Sequence, residues 1–447
     1  MSKQSNITIK DCSPLVWLSG IIWGFGCIAG KQLVKGCLYL LSEILIVRYM
    51  VVSGVNNLKL LLTLGEQEQQ KVWNETKCVY EYIDGDRSLV ILLYGIITLA
   101  VCLLGICLLI KSVKSAYAVE KLKKAGKHIS GFADDVKQLF DNNLHVTLLS
   151  LPVMGVVLFT ILPLLFMITM AFTDYSTINN KLVLFDWVGL ENFKTIIDIS
   201  GNLGKTFVSV LGWTICWAFA ATFLNYFLGM GLAILINWKE TRLKKFWRFC
   251  FVLTVAVPHF VTLLIMKQML QPEGAINILL RNLGIIAQGT SLPFFTDTLW
   301  ARVTVIVINI WVGVPYTLLQ ITGILQNIPS ELYDAAKVDG ASPFMTFWKI
   351  TLPYMLFVTT PYLITTFTGN VNNFNVIFLT SGGSPREIGL TAGKTDLLVT
   401  WLYKLTIDNE YYNTGAVIGI ATFITLAIVS LVTFNLSKSN RDEEGFR

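Results

Sequence analysis

The chain has 447 residues, of which 54% are hydrophobic and only 14% charged, with a formal net charge of +6. A soluble globular domain carries about 25% charged residues, so this composition argues against one and for a chain that crosses a bilayer many times. The positive balance is what short cytoplasmic loops rich in Lys and Arg leave behind, and it calls for no nucleic acid.

The N-terminus is polar up to Ser13, and the apolar stretch after it has no clear small-residue cleavage site. Pro14 to Gly30 is apolar but interrupted by Gly20, Gly24, Gly26 and Gly30, and is followed by Lys31 and Lys35. It reads as a re-entrant or interfacial segment on the cytoplasmic side. A ninth span, placing the N-terminus outside, is the alternative.

Eight stretches then reach the roughly 20 apolar residues that a bilayer core demands. They lie near 34–56, 88–110, 147–172, 207–236, 249–270, 302–325, 355–380 and 413–436. Unpaired backbone groups force each to be helical, so the fold class is all-α integral membrane. The loop 111–146 carries seven Lys, and the loop 237–248 carries Lys239, Arg242, Lys244, Lys245 and Arg248 against Glu240; 57–87 is rich in acids. Basic loops stay inside. This puts 57–87 outside and both termini in the cytoplasm, with 326–354 also inside.

The expected organisation is a cytoplasmic N-terminus (1–33), an accessory pair of spans (34–110), a basic linker (111–146), a six-span core (147–437) and a cytoplasmic tail (438–447). Val119–Lys127 reads as an amphipathic surface helix whose Lys run faces anionic membrane lipid. The eight Cys, none in a C-x-x-C pair, read as small buried hydrophobes.

The strongest local signal is the cytoplasmic loop 327–353. It predicts two short helices joined by a turn: Ser330 caps the first, Gly340 ends it, and Pro343 opens the second. Ala335 and Ala336 remove bulk from one face, so another surface can approach. The order and the scarcity of basic residues suit a docking element for a soluble partner.

Asp334-Ala335-Ala336, Gly340, Ile350 and Leu352-Pro353 stand at the spacing of the EAA loop, and the segment resembles that loop in the permeases of binding-protein-dependent, type I ABC importers. Asp339, Gly340, Ala341 and Phe347 are similar to its sugar-importing branch; Asp334 replaces the usual Glu. The resemblance implies that the last six spans form the permease core. It also implies that 327–353 docks on a dimer of ATPase subunits, and that ATP and Mg act on those partners, with no cofactor in this chain. Closure of the ATPases would switch access between the two sides by rigid-body motion.

Thr254–Pro258, Trp311–Tyr316, Asn370–Asn375, Ser381–Pro385 and Thr395–Val399 resemble the larger permease subunit of maltose/maltodextrin importers. The implied partners are a second homologous permease subunit, an extracellular solute-binding lipoprotein and an oligosaccharide. A neutral sugar needs amides, hydroxyls and an aromatic face rather than carboxylates. Asn309, Tyr316, Thr366, Asn370 and Asn373 answer that need, with Thr366, Asn370 and Asn373 on one helical face. An Asn within a span also commonly makes an interhelical hydrogen bond worth about 0.6–2 kcal/mol. The family's sugar-contacting positions carry over unchanged onto Asn309, Gly313, Tyr316, Asn370 and Asn373. They carry over with changes onto Thr366 and His259, where Ser stands in the best-known maltose member. Val255 stands where that member has Tyr, which leaves open another neutral sugar, such as a galacto-oligosaccharide, or a polyol.

Gly204-Lys205-Thr206 and Gly393-Lys394-Thr395 imitate a phosphate loop, but Ile199 and Ile388 occupy the place of its first Gly. The three His show no metal-ligand spacing. A secondary transporter would need coupling carboxylates in the spans, and Glu43 in the first span is the only deep one. A membrane enzyme would need a paired acidic motif at the membrane face, and none appears.

Overall fold

The computed structural model describes residues 13–75, 79–126, 129, 131–238 and 240–436. Cys12, Cys78, Lys127, His128, Lys239 and the tail 438–447 lie outside them. The helices are α1 (Pro14–Leu18), α2 (Phe25–Ala29), α3 (Leu33–Thr63), α4 (Ser88–Lys124), α5 (Phe132–Phe140), α6 (Leu144–Met170), α7 (Glu191–Ile197), α8 (Asn202–Asn237), α9 (Lys244–Ala256), α10 (His259–Met269), α11 (Ala275–Asn282), α12 (Thr298–Leu325), α13 (Ser330–Val338), α14 (Pro343–Val371), α15 (Phe374–Leu379), α16 (Leu398–Tyr403) and α17 (Tyr412–Leu436). Among the described residues seven are long and apolar enough to cross a membrane, and α9 with α10 makes an eighth crossing if the bent pair counts as one. The all-α membrane expectation holds. Two compact units divide at Gly189, so α6, grouped with the core from sequence, packs within the first.

In the first unit, Pro14–Gly30 is not a spanning helix. It forms two five-residue helices folded onto α3 and α4. Its glycines serve close packing: a Cβ on Gly26 would stand 2.6 Å from the Ala116 Cβ. Glu43 accepts the Trp23 backbone N–H at 2.8 Å, which gives the only deep carboxylate of the first span a structural partner. Between α3 and α4 an antiparallel hairpin pairs β1 (Gln70–Asn74) with β2 (Val79–Ile83).

Several expectations are corrected. Residues 119–124 are the last turns of α4 and not a separate surface helix. The fifth span is not one helix: the chain bends by 88° between α9 and α10, at Val257–Pro258, because Pro lacks an N–H and disfavours helical backbone in the residue before it. The seventh span ends at Val371; 374–379 is a separate short helix started by Asn373. Of the described Cys, all free, only Cys27 is buried, and the rest lie partly or fully on helix surfaces.

The second unit holds two hydrophobic clusters along α8. One joins Trp213, Trp217 and Ala221 to Val305, Ile308, Val371 and Ile377. The other joins Tyr226, Met230 and Ala233 to Ile321, Leu352 and Met355. Between the clusters, α8, α12 and α14 turn polar residues such as Thr222, Asn225, Asn309, Thr366 and Asn370 toward a cavity partway along these helices.

Candidate functional site

The cavity has a volume of about 300 Å³ and is lined by Asn309, Gly313, Tyr316 and Thr317 of α12, Tyr362, Leu363, Thr366 and Asn370 of α14, and Thr222, Asn225 and Tyr226 of α8. Every lining side chain is uncharged. Asp297 caps α12 by accepting the Leu299 and Trp300 N–H groups at 3.0 Å, and α12 and α14 present their lining residues at i, i+3 and i+4 spacing.

Five of the seven sequence-predicted sugar positions line this cavity: Asn309, Gly313, Tyr316, Thr366 and Asn370. His259 lies in an adjoining cavity of about 170 Å³ with Thr254, Thr262 and Trp311, and Tyr316 borders both. The break at Pro258 is what sets His259 at the first turn of α10. Asn373 lines neither cavity. Its Oδ1 accepts the Val376 N–H at 3.3 Å, capping α15, and its Nδ2 donates to Asn370 Oδ1 at 3.4 Å.

Asn370 is built into the packing. Its Nδ2 donates to Thr222 Oγ1 at 3.0 Å, and its carbonyl accepts the Trp217 indole N–H at 3.1 Å. With Asn373 on its Oδ1, both ends of the carboxamide are engaged in this conformation. Tyr226, also on α8, meets Thr359 of α14 through their hydroxyls at 2.8 Å. Sequence reasoning missed the α8 contribution. The available signal was Thr222, Asn225 and Tyr226 at i, i+3 and i+4 in a mostly apolar span.

At the start of α12 and end of α14, the segment 379–411 forms a packed cap. Trp213 Nε1 donates to the Thr395 carbonyl at 3.2 Å, and Arg302 Nε to the Lys394 carbonyl at 3.1 Å. Inside the cap the Lys404 ammonium meets Asp396 at 2.6 Å, with side-chain exposures of 5% and 0%. Burial lowers the Lys404 pKa below the usual lysine value despite the opposing pull of Asp396. The Gly393-Lys394-Thr395 imitation of a phosphate loop is consumed here: Thr395 Oγ1 bonds Ser381 at 2.8 Å, and Lys394 pairs with Glu387 at 2.7 Å.

At the other end of α12 and α14 lies 327–353. The first helix starts at Ser330 after Pro329, and the Ser330 side chain makes no capping bond, contrary to the expected role. Gly340 ends the turn at φ 71°, and Ser342 caps the next helix by accepting the Met345 N–H at 3.2 Å. Asp334, Ala335 and Asp339 are exposed, Ala336 is buried, and Ala341 N–H bonds the Ala336 carbonyl at 2.8 Å. Leu352 is buried in the second cluster, Ile350 is half-buried, and Pro353 is exposed. Tyr333 and Thr351 join hydroxyls at 3.1 Å, fastening the loop to α14.

Residues 225–439 match the family model described as the binding-protein-dependent transport system inner membrane component. The chain is 35% identical to the galactooligosaccharides transport system permease protein GanP of Bacillus subtilis (strain 168), over 95% of this chain and 98% of that one. It belongs to the inner-membrane permeases of binding-protein-dependent ABC importers. This permease is also 35% identical to the B. subtilis maltodextrin transport permease MdxF, over 96% of both chains. With the maltose/maltodextrin permease MalF of Escherichia coli (strain K12) it shares 37% identity, over 56% of this chain and 48% of that one. Its fold is similar to a chain in the crystal structure of a bacterial importer of alginate, at TM-score 0.53 and 20% identity, covering 68% of this chain and 97% of that one.

Proposed function

We propose that this permease is the larger transmembrane subunit of an ATP-driven importer of neutral oligosaccharides, of the maltodextrin type. The observation that carries the reading is the cavity of about 300 Å³ whose lining offers amides, hydroxyls and aromatic rings without one charged side chain. Neutral hydroxyls are matched by such groups, whereas a phosphorylated solute would call for Arg or Lys. Permeases for maltodextrin at 35% and 33% identity support the substrate class.

Alternating access would be driven from outside the chain. A dimer of ATPase subunits, holding ATP and Mg, would dock on 327–353, where Asp334, Ala335 and Asp339 are exposed. A second homologous permease subunit would complete the pathway, and an extracellular solute-binding lipoprotein would deliver the sugar. A solved complex of the alginate importer holds a pentasaccharide-bound periplasmic protein, which supports that partner. Both termini would lie in the cytoplasm of a bacterial plasma membrane.

Galacto-oligosaccharide is the second reading, favoured by the 35% identity to GanP and by Val255 and His259, where the resemblance to the best-known maltose member would put Tyr and Ser. Competition decides between them. In cells expressing the complete importer, unlabelled maltotriose should suppress uptake of labelled maltotriose more strongly than galactotriose does. Uptake of galactotriose with no uptake of maltotriose would replace the first reading by the second.

A further inference from the structure

Among the described residues, two that line the cavity each hold a buried side-chain atom without a hydrogen-bond partner: Asn225 Oδ1 and Asn309 Nδ2. Both residues are more than nine-tenths buried, at 7% and 6% exposure, and both line the same cavity. Buried polar groups in folded proteins nearly always have partners, and each one left open carries a desolvation cost. The remaining polar residues that α8 turns toward this cavity are both occupied by α14, Thr222 with Asn370 and Tyr226 with Thr359. Asn225 lies between them with its acceptor unused.

The backbone opposite makes room for it. A Cβ on Gly313 would stand 2.8 Å from Asn225 Cγ, so glycine at 313 lets α12 come down onto this carboxamide. One open acceptor and one open donor on residues of the same cavity, with no charge in the lining, complement hydroxyl groups, which both donate and accept. A phosphate or carboxylate only accepts, and it would leave Asn225 Oδ1 facing another acceptor.

We propose that Asn225 is a specificity-determining residue of the transport cavity. Its Oδ1 accepts a hydroxyl hydrogen of the sugar, and Asn309 Nδ2 donates to a hydroxyl oxygen. The proposal rests on the oligosaccharide reading above. It adds α8 to the sugar-reading surface, which the resemblance confined to α9, α10, α12, α14 and their ends. Gly313 then also acts through Asn225 as a positioning residue.

The test uses the full importer in proteoliposomes: wild type, Asn225→Leu and Gly313→Ala, given maltotriose and each of its monodeoxy analogues. Wild type should take up maltotriose at least about 10-fold better than the analogue lacking the hydroxyl that Asn225 reads, a difference of about 1.4 kcal/mol. In Asn225→Leu that ratio should fall to near one while the ratios for the other analogues persist, and Gly313→Ala should move the same ratio. Uniform loss on all substrates, or unchanged ratios, overturns the proposal. If Asn225→Leu fails to assemble, Asn225→Ser decides by the same ratio, and failure of both to assemble assigns Asn225 to packing and overturns it. A wild-type importer that takes up neither maltotriose nor galactotriose overturns the oligosaccharide reading itself. Wild-type transport with unaltered ratios sinks the role of Asn225 alone.

Discussion

Their i, i+3 spacing suggests one helical face for Asn370 and Asn373, but α14 ends between them at Val371, and they do different work. Asn373 caps α15 and Asn370 ties α14 to α8. Asn373→Ala removes the cap, at a cost of about 1 kcal/mol, and frees Asn370 Oδ1. Asn370→Ala leaves Thr222 without that donor. Both variants should transport poorly while still co-purifying with the ATPase; normal uptake in both would remove them from the site. Lys404 gives a sharper stability prediction. Lys404→Ala strands Asp396, fully buried, without its cation. Breaking a buried ion pair from one side costs about 3–5 kcal/mol. Purified Lys404→Ala should therefore unfold at a clearly lower temperature than wild type, and an unchanged midpoint would mean that solvent reaches Asp396.

At the scale of elements, the segment 327–353, proposed as the ATPase docking element, is held by few features. Gly340 stands at φ 71°, where a residue with a Cβ costs about 1–2 kcal/mol. Gly340→Val should distort the turn and reduce co-purification with the ATPase, and full retention would detach this turn from docking. Asp334 is exposed and only loosely paired with Lys337 at 3.5 Å. Asp334→Glu should leave ATP-driven uptake unchanged or slightly faster, whereas a marked loss would show that the shorter side chain is required. These elements were legible in the sequence because Pro, Gly and Ser punctuate the chain locally. The bend at Pro258 was equally local, but hydropathy runs straight through 249–270 and hid it. The strands Gln70–Asn74 and Val79–Ile83 carry the alternation and aromatic content of a hairpin, masked by the charges around them. Asn225 stayed hidden for a different reason. Nothing within α8 shows that Gly313, far away in sequence, brings α12 against it.

For the whole molecule, the cavity proposed to hold the cargo is lined by three helices of the second unit. They run from the packed cap at 379–411 to the segment 327–353, the proposed docking element. Helices that span both ends can carry a displacement at one to the other as rigid bodies. The tie from Asn370 to Thr222 and that from Tyr226 to Thr359 cross between α8 and α14 beside the cavity, so relative motion of these helices would reshape it. No part of this requires an energy source in the chain itself. The most direct test is uptake of labelled maltotriose into proteoliposomes holding this permease, its second permease subunit and the ATPase pair, with the sugar-loaded binding protein outside and ATP sealed inside. Uptake that needs the ATPase subunits and stops when ATP is omitted is the predicted result. Uptake that continues without ATP or without the ATPase subunits would contradict a permease driven through 327–353.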